Sequence, residues 1–298
     1  MVSPRRLAVT LPLFAREHAA GWRTPLRNVD LLLLAYLAIV SVVAVMRLSI
    51  QPGCWWLLLA HALFVLLLFL VTRPGLGRVG RTIRELYPII LLPGFYGELD
   101  VLSSPARPVH DLTVQHWEQL IFGMQVSREW WQRVPSVFLS TVFHTAYLSY
   151  YLIVAAPALY LAWKGNLNGV RHFVLAVMTT FVICYLFFIF FPVAGPYYVF
   201  PRPAEWFLAN LPARWAYGAL SAGSSYGAAF PSSHVAAALT ATLAAKRASR
   251  WLGLTLLVPT ILLTLGVVYC QMHYGIDALT GVVVGGGVTH LLERNGAA

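Results

Sequence analysis

The sequence predicts an all-α integral membrane protein with about eight transmembrane helices, and three observations carry that prediction. Of 298 residues, 59% are hydrophobic and only 11% are charged, well outside the range of soluble globular domains. Apolar runs of spanning length recur along the chain, a span needing roughly 20 mostly apolar residues. The basic residues behind a net charge of +10 sit in short clusters between those runs, as in loops governed by the positive-inside rule. That clustering makes the bilayer the partner and argues against nucleic acid.

Taken in order, the clear spans are 30 to 48, 54 to 72, 137 to 163, 172 to 192, 233 to 247, 252 to 271 and 275 to 292. The basic N-terminal 29 residues hold only a brief apolar patch, LAVTLPLFA. The run from Val29 is therefore expected to remain as an anchor and not to be removed as a signal peptide. The stretch ELYPIILLPGFYGELDVL, 85 to 102, is apolar enough for an eighth span, although Pro88, Pro93, Gly94 and Gly97 interrupt it. Charge arbitrates. If 85 to 102 crosses and the N-terminus is cytoplasmic, 15 of the 21 Lys and Arg lie inside: five before Val29, four at 73 to 84, Lys164 with Arg171, three at 246 to 250, and Arg294. Six lie outside: Arg47, Arg107, Arg128, Arg133, Arg202 and Arg214. If 85 to 102 does not cross, the alternation of basic and poorly charged loops collapses. Eight spans with both termini cytoplasmic are expected.

Two long segments then face outward. In the first, 103 to 136, Leu112, Trp117, Leu120 and Ile121 have approximately helical spacing and Trp130-Trp131 follow, which predicts a helix lying on the membrane with aromatic anchors. The second, 193 to 231, is dense in Pro, Gly and Tyr and predicts an ordered loop over the outer face. Cys54, Cys184 and Cys270 show no metal-binding spacing and read as packing residues.

Residues able to do chemistry converge on that outer side. The helix beginning at Pro231 comes from outside and the one ending near Cys270 returns there, so His234 and His273 lie at one depth. Asp277 follows His273 by four residues, a spacing that on a helix sets the carboxylate against the imidazole, fixing its tautomer and raising its basicity. Pro231 suits a first helical turn, and Ser232 and Ser233 add hydroxyls beside the unpaired amides there, which makes an anion site. Together these parts describe a phosphoryl site with a His nucleophile, a second His to carry the proton and a helix N-terminus around the oxygens. Each part also has an ordinary reading. Membrane histidines such as His61, His144 and His290 commonly pack or bridge helices, and a Ser at a helix start is commonly a cap. Two His and an Asp also suggest a metal centre, but no further ligand stands at helical spacing from these three. Catalysis is favoured because cap, His, His and Asp meet on one side through an independently argued topology.

At these residues the sequence resembles the type-2 phosphatidic acid phosphatase superfamily of membrane lipid phosphatases and phosphotransferases. The family's Pro-Ser-Gly-His signature reads Pro231-Ser232-Ser233-His234 here. Its Ser-Arg, five residues, His, three residues, Asp signature matches at His273 and Asp277 but has Gly266 and Val267 in place of Ser and Arg. Its Lys, six residues, Arg-Pro signature has Arg202-Pro203 in register with Gly195 at the Lys position. Loss of these cations, with Phe191-Pro192, Gly195-Pro196 and the acid-rich loop HDLTVQHWEQLIFG, is more similar to the inositol phosphorylceramide synthase-like branch. The resemblance covers about 85 to 293, a six-helix catalytic core, with 1 to 84 as an N-terminal segment and two accessory helices.

What the resemblance implies is a phosphohistidine intermediate: His273 attacks phosphorus, Asp277 orients it, and His234 protonates the departing alkoxide and then deprotonates the acceptor. Ser232, Ser233 and Arg202 are the expected substrate-binding residues. No cofactor or metal is implied, so activity is expected to survive chelation. The expected partners are a phospholipid or other lipid phosphate and a lipid or alcohol acceptor, at an exoplasmic or periplasmic active site. The leading expectation is a lipid phosphotransferase. A lipid or polyprenyl phosphate phosphatase using water is the nearest competitor, and a non-catalytic transporter or scaffold the remote one.

Overall fold

A computed structural model describes residues 26–73, 77–103 and 108–294. The apolar patch at 7 to 15 and the arginines at 5, 6, 16, 23 and 107 lie outside those residues. Among the described residues the chain is helical throughout, with no strand beyond one isolated bridge between Val193 and Ala228.

The helices are α1 Asn28–Arg47, α2 Cys54–Val71, α3 Arg78–Ile90, α4 Leu92–Leu102, α5 Asp111–Phe122, α6 Val126–Arg133, α7 Val137–Leu148, α8 Tyr150–Trp163 and α9 Leu167–Phe190. Two short ones follow, α10 Pro196–Val199 and α11 Glu205–Leu208, and then α12 Leu211–Gly223, α13 Ser233–Ala248, α14 Arg250–Tyr269 and α15 Gly275–Arg294. Six stretches are long and apolar enough to cross a membrane: α1, α2, α7 with α8, α9, α14 and α15. The protein is a multi-pass membrane protein. Two of the eight expected spans fall short by length, α13 at 16 residues and the pair α3–α4, which breaks at Leu91.

The break has a local cause: Pro93 brings no N–H to continue the ladder and sits in the first turn of a new helix. The broken pair nonetheless runs the whole length of α1. At one end Arg84 pairs with Asp30 in both of its guanidinium branches, Tyr87 donates to Asp30 at 2.5 Å, and Glu85 receives Arg27 and, at 2.9 Å, Arg171. At the other end Arg47 donates to the Leu102 carbonyl at 2.7 Å. A 20-residue helix rises about 30 Å, so the two contacts set the ends of α3–α4 about that far apart along α1 despite its prolines.

Helix α9 is the central pillar, packing against α1, α3, α4, α8, α13 and α15. The alanine-rich α13 lies between α9, α14 and α15, its Ala236, Ala237, Ala238 and Ala241 wholly buried. The approach of α15 is close enough to require glycine: a Cβ at Gly281 would stand 2.7 Å from the Ser232 carbonyl oxygen, and one at Gly285 2.5 Å from that of Ala236. Buried Cys54, Cys184 and Cys270 are unpaired packing residues, and His61 bridges helices by contacting Ser41 at 2.7 Å and Glu98 at 3.2 Å.

Of the outward segments, α5 leaves Leu112 82% and Leu120 70% exposed, as a helix lying on a membrane surface does. The expected anchors on α6 behave otherwise. Trp131 is buried and donates from its indole N–H to Gln271 at 3.1 Å, while Trp130 meets Tyr269 edge-on at 5.3 Å. A polar partner inside the protein draws Trp131 inward, while Trp130 stays half-buried. The 193 to 231 segment is an ordered cap built on α10, α11 and α12, the last with Asn210 capping Ala213 at 2.9 Å.

Candidate active site

The opening of α13 differs by two residues from the sequence expectation. The helix begins at Ser233 and not at Pro231, with Ser232 as the N-cap, its Oγ accepting from the Val235 N–H at 3.4 Å. Ser232 also donates its own N–H to the Asp277 carbonyl at 3.0 Å, which ties the start of α13 to the first turn of α15. His234 follows on the first turn, stacked on Tyr147 at 5.0 Å and against Tyr150 at 4.5 Å. It makes no hydrogen bond among the described residues, and its Nδ1 is buried without a partner.

His273 lies 5.6 Å from His234 between ring centroids, so the two histidines do meet. The relation of His273 to Asp277 is not the helical one. His273 sits in the tight turn between α14 and α15, outside either helix, and Asp277 is in the first turn of α15. There the Asp277 Oδ2 accepts from the Tyr274 N–H at 2.8 Å and stands 3.4 Å from His273 Nδ1. The stronger partner of that nitrogen is a backbone oxygen, since Nδ1 donates to the Ala229 carbonyl at 3.0 Å. Either acceptor fixes the same tautomer and leaves Nε2 with the lone pair. The expected rise in basicity is overturned, because burial pushes His273 down to about 4 and the Ala229 bond only partly offsets this. The ring is held neutral, the form a nucleophile needs.

The turn itself is held from several sides. Gln271 adopts φ 57, and its amide bridges Trp131 of α6 to the Pro201 carbonyl at 2.7 Å. Tyr217 of α12 donates to the Cys270 carbonyl at 3.0 Å. Two acids of α5 complete the frame. Asp111 accepts from the Ala194 and Gly195 amides, both at 2.8 Å, and from the Tyr274 hydroxyl at 2.9 Å. Glu118 accepts from the Ile276 amide at 3.3 Å at the start of α15 and from Ser127 at 3.4 Å. Burial holds the Glu118 carboxyl up at about 7, against the pull of those amide donors. Neither acid was singled out by the sequence reading as a residue. The signal lay in their spacing, because two acids seven apart share one face of an outer helix.

The three positions that depart from the family signatures, Gly195 for Lys, Gly266 for Ser and Val267 for Arg, are closed. Gly195 has φ 92, and a Cβ there would lie 2.8 Å from Ala229 Cβ. A Cβ at Gly266 would lie 2.9 Å from the Phe143 carbonyl oxygen, and Val267 is wholly buried while its carbonyl receives the His273 amide. No long side chain fits at these places. Arg202 is exposed and makes no hydrogen bond with either histidine; its guanidinium lies over the Tyr197 ring at 5.7 Å, in a recess shared with Glu205 and Arg214. A cavity of about 390 Å³ reaches Ser233 and His234 from the membrane side, and neither Lys nor Arg borders it. Among the described residues no three His, Cys, Asp or Glu side chains are grouped so as to hold a metal ion.

No curated protein and no solved structure matches the chain. The family model described as the PAP2 superfamily matches residues 113–291, well over half of the chain, from within α5 to the last turn of α15. That stretch contains Ser232, both histidines and Asp277, and the chain accordingly belongs to the PAP2 superfamily of membrane lipid phosphatases and phosphotransferases.

Proposed function

We propose that this protein is a lipid phosphotransferase that works through a phosphohistidine on His273. The observation that carries the reading is the tautomer. With Nδ1–H given to Ala229, the Nε2 lone pair of a neutral, buried ring is available to attack phosphorus. His234, 5.6 Å away and free of hydrogen bonds among the described residues, is suited to protonate the departing oxygen and then to deprotonate the acceptor. Asp277 positions His273 and the turn, and the Ser233 and His234 amides at the head of α13, beside Ser232, supply dipole and donors for the phosphoryl oxygens.

Transfer from a phosphodiester lipid is favoured over hydrolysis of a phosphomonoester because the cation positions at Gly195 and Val267 are closed, so a doubly charged phosphate lacks its usual counter-ions. This also supports the inositol phosphorylceramide synthase-like branch. Arg202 is then a headgroup-facing residue that meets the polar end of the donor at the rim. The charge distribution orients the site outward and both termini toward the cytoplasm.

The test is to incubate purified protein with radiolabelled phospholipids in lipid nanodiscs, quench in base and look for acid-labile phosphate on His273. A labelled His273 that discharges to an added lipid alcohol as a new phosphodiester supports transfer, and discharge to free phosphate alone makes the protein a phosphatase. A His273→Ala protein that turns over substrate at the native rate would refute both.

A further inference from the structure

The cavity that reaches His234 is walled by α4, α8, α9 and the last turn of α12. It runs from the level of His234 to Ile89 and Leu92 at the α3–α4 break and to Ala155 on α8, past the midpoint of the Val137–Trp163 stretch. Its two ends differ. The deep end is mostly apolar, with Ile89, Leu92, Val154, Ala155 and Phe181. The upper end is rimmed by Tyr147, Tyr150 and Tyr185, whose hydroxyls have no hydrogen-bond partner among the described residues. No Lys, Arg, Asp or Glu borders it, so a charged occupant at this level would be left without a counter-ion in a low-dielectric setting. Finally, the cavity touches His234 but not His273.

These four facts select one class of ligand. We infer that the cleft between α4 and α8 is the berth of a neutral, membrane-dissolved lipid alcohol, with its chain in the apolar end and its hydroxyl among the tyrosines facing His234. The same berth serves the alcohol released from the donor and the alcohol that accepts the phosphoryl group. In the first step the His273 nitrogen–phosphorus bond forms, the bond from phosphorus to the lipid oxygen breaks, and His234 gives that oxygen its proton. In the second a new lipid alcohol returns a proton to His234, its oxygen bonds phosphorus and the nitrogen–phosphorus bond breaks. The chemical half of this inference rests on the proposed function, whereas occupancy of the cleft does not.

The test therefore reads binding without turnover. A monoacylglycerol with a diazirine at mid-chain is photolysed with the protein in phosphatidylcholine nanodiscs, and labelled peptides are mapped. Saturable labelling is expected at residues 89–96 and 150–155, displaced by unlabelled monoacylglycerol but not by an alkyl phosphate of equal chain length. Ala155→Trp, which blocks the deep end, is expected to cut labelling at least fivefold. Val283→Trp, on the 66% exposed outer face of α15, should leave it unchanged. If Ala155→Trp does not fold, Leu92→Trp on the facing wall makes the same comparison. Labelling elsewhere, labelling insensitive to both tryptophans, or equal displacement by the alkyl phosphate overturns the inference. A His273→Ala protein should label like the native one, so a missing phosphohistidine sinks the proposed chemistry and leaves the cleft assignment standing on its own result.

Discussion

Replacing Gly281 by Ala tests whether the packing of α15 on α13 sets the catalytic geometry. A methyl at 281 would meet the Ser232 carbonyl oxygen at 2.7 Å and Val235 Cβ at 3.0 Å, against 3.4 Å for ordinary contact, so the helices must part by about 0.7 Å. Ser232 lies two residues before His234, and its N–H is bonded to the Asp277 carbonyl at 3.0 Å, so the displacement falls between the two halves of the site. A misplacement of about 1 Å can cost 10²-fold in rate, so a loss of roughly 10- to 100-fold is expected, about 1.4 to 2.7 kcal/mol of barrier. The assay is the rate of phosphoenzyme formation from labelled phospholipid, with thermal unfolding followed alongside. Gly286→Ala on the same helix is the control. A Cβ there meets nothing within 4 Å, yet it makes the same gain in helix propensity. The reasoning fails if Gly281→Ala is phosphorylated at the native rate, or if Gly286→Ala is slowed as much.

Three further outcomes are expected. His234→Ala should retain a trace of transfer, down about 10²- to 10⁴-fold, while His273→Ala forms no phosphoenzyme at all; equal residual rates would contradict the division of roles. The Glu118 carboxyl, raised to about 7 by burial, favours the folded state while it is protonated. Its contribution is complete below the ordinary carboxyl range and is lost as pH rises through 7, so Glu118→Gln should flatten the fall in unfolding temperature between pH 5 and 8. Parallel pH curves for the two proteins would sink that account. Asp30→Asn should destabilise by about 3 to 5 kcal/mol, because it leaves buried Arg84 without its carboxylate, while the folded fraction keeps its phosphorylation rate. A stable variant with slowed chemistry would show that the cluster acts on the site and not on the docking of α1.

Much of the helical content was legible because bilayer depth imposes a length and a composition that a single chain reveals. Segment 85 to 102 shows the limit. Its prolines read as interruptions, yet Arg84–Asp30 at one end and Arg47–Leu102 at the other hold it along α1. Those partners are 54 and 55 residues away in sequence, beyond any periodicity. Trp131 departs from its expected anchoring role for a related reason. An indole suits an interface, but Gln271 offered a buried acceptor that only folding brings near.

The sequence by itself determined the membrane class, the presence of Ser232, His234, His273 and Asp277 at helix ends on one side, and the loss of cations at Gly195 and Val267. These follow from residue type and spacing, which are local. Only the tertiary structure decided that a backbone carbonyl, and not Asp277, is the nearer partner of His273, and that Asp111 and Glu118 of α5 hold the turn that carries His273. It alone set Arg202 over the Tyr197 ring and gave His234 an uncharged, tyrosine-rimmed cleft. Those outcomes depend on which distant backbone groups and ring faces arrive within about 3 to 6 Å when the helices pack, and no local pattern encodes that arrival.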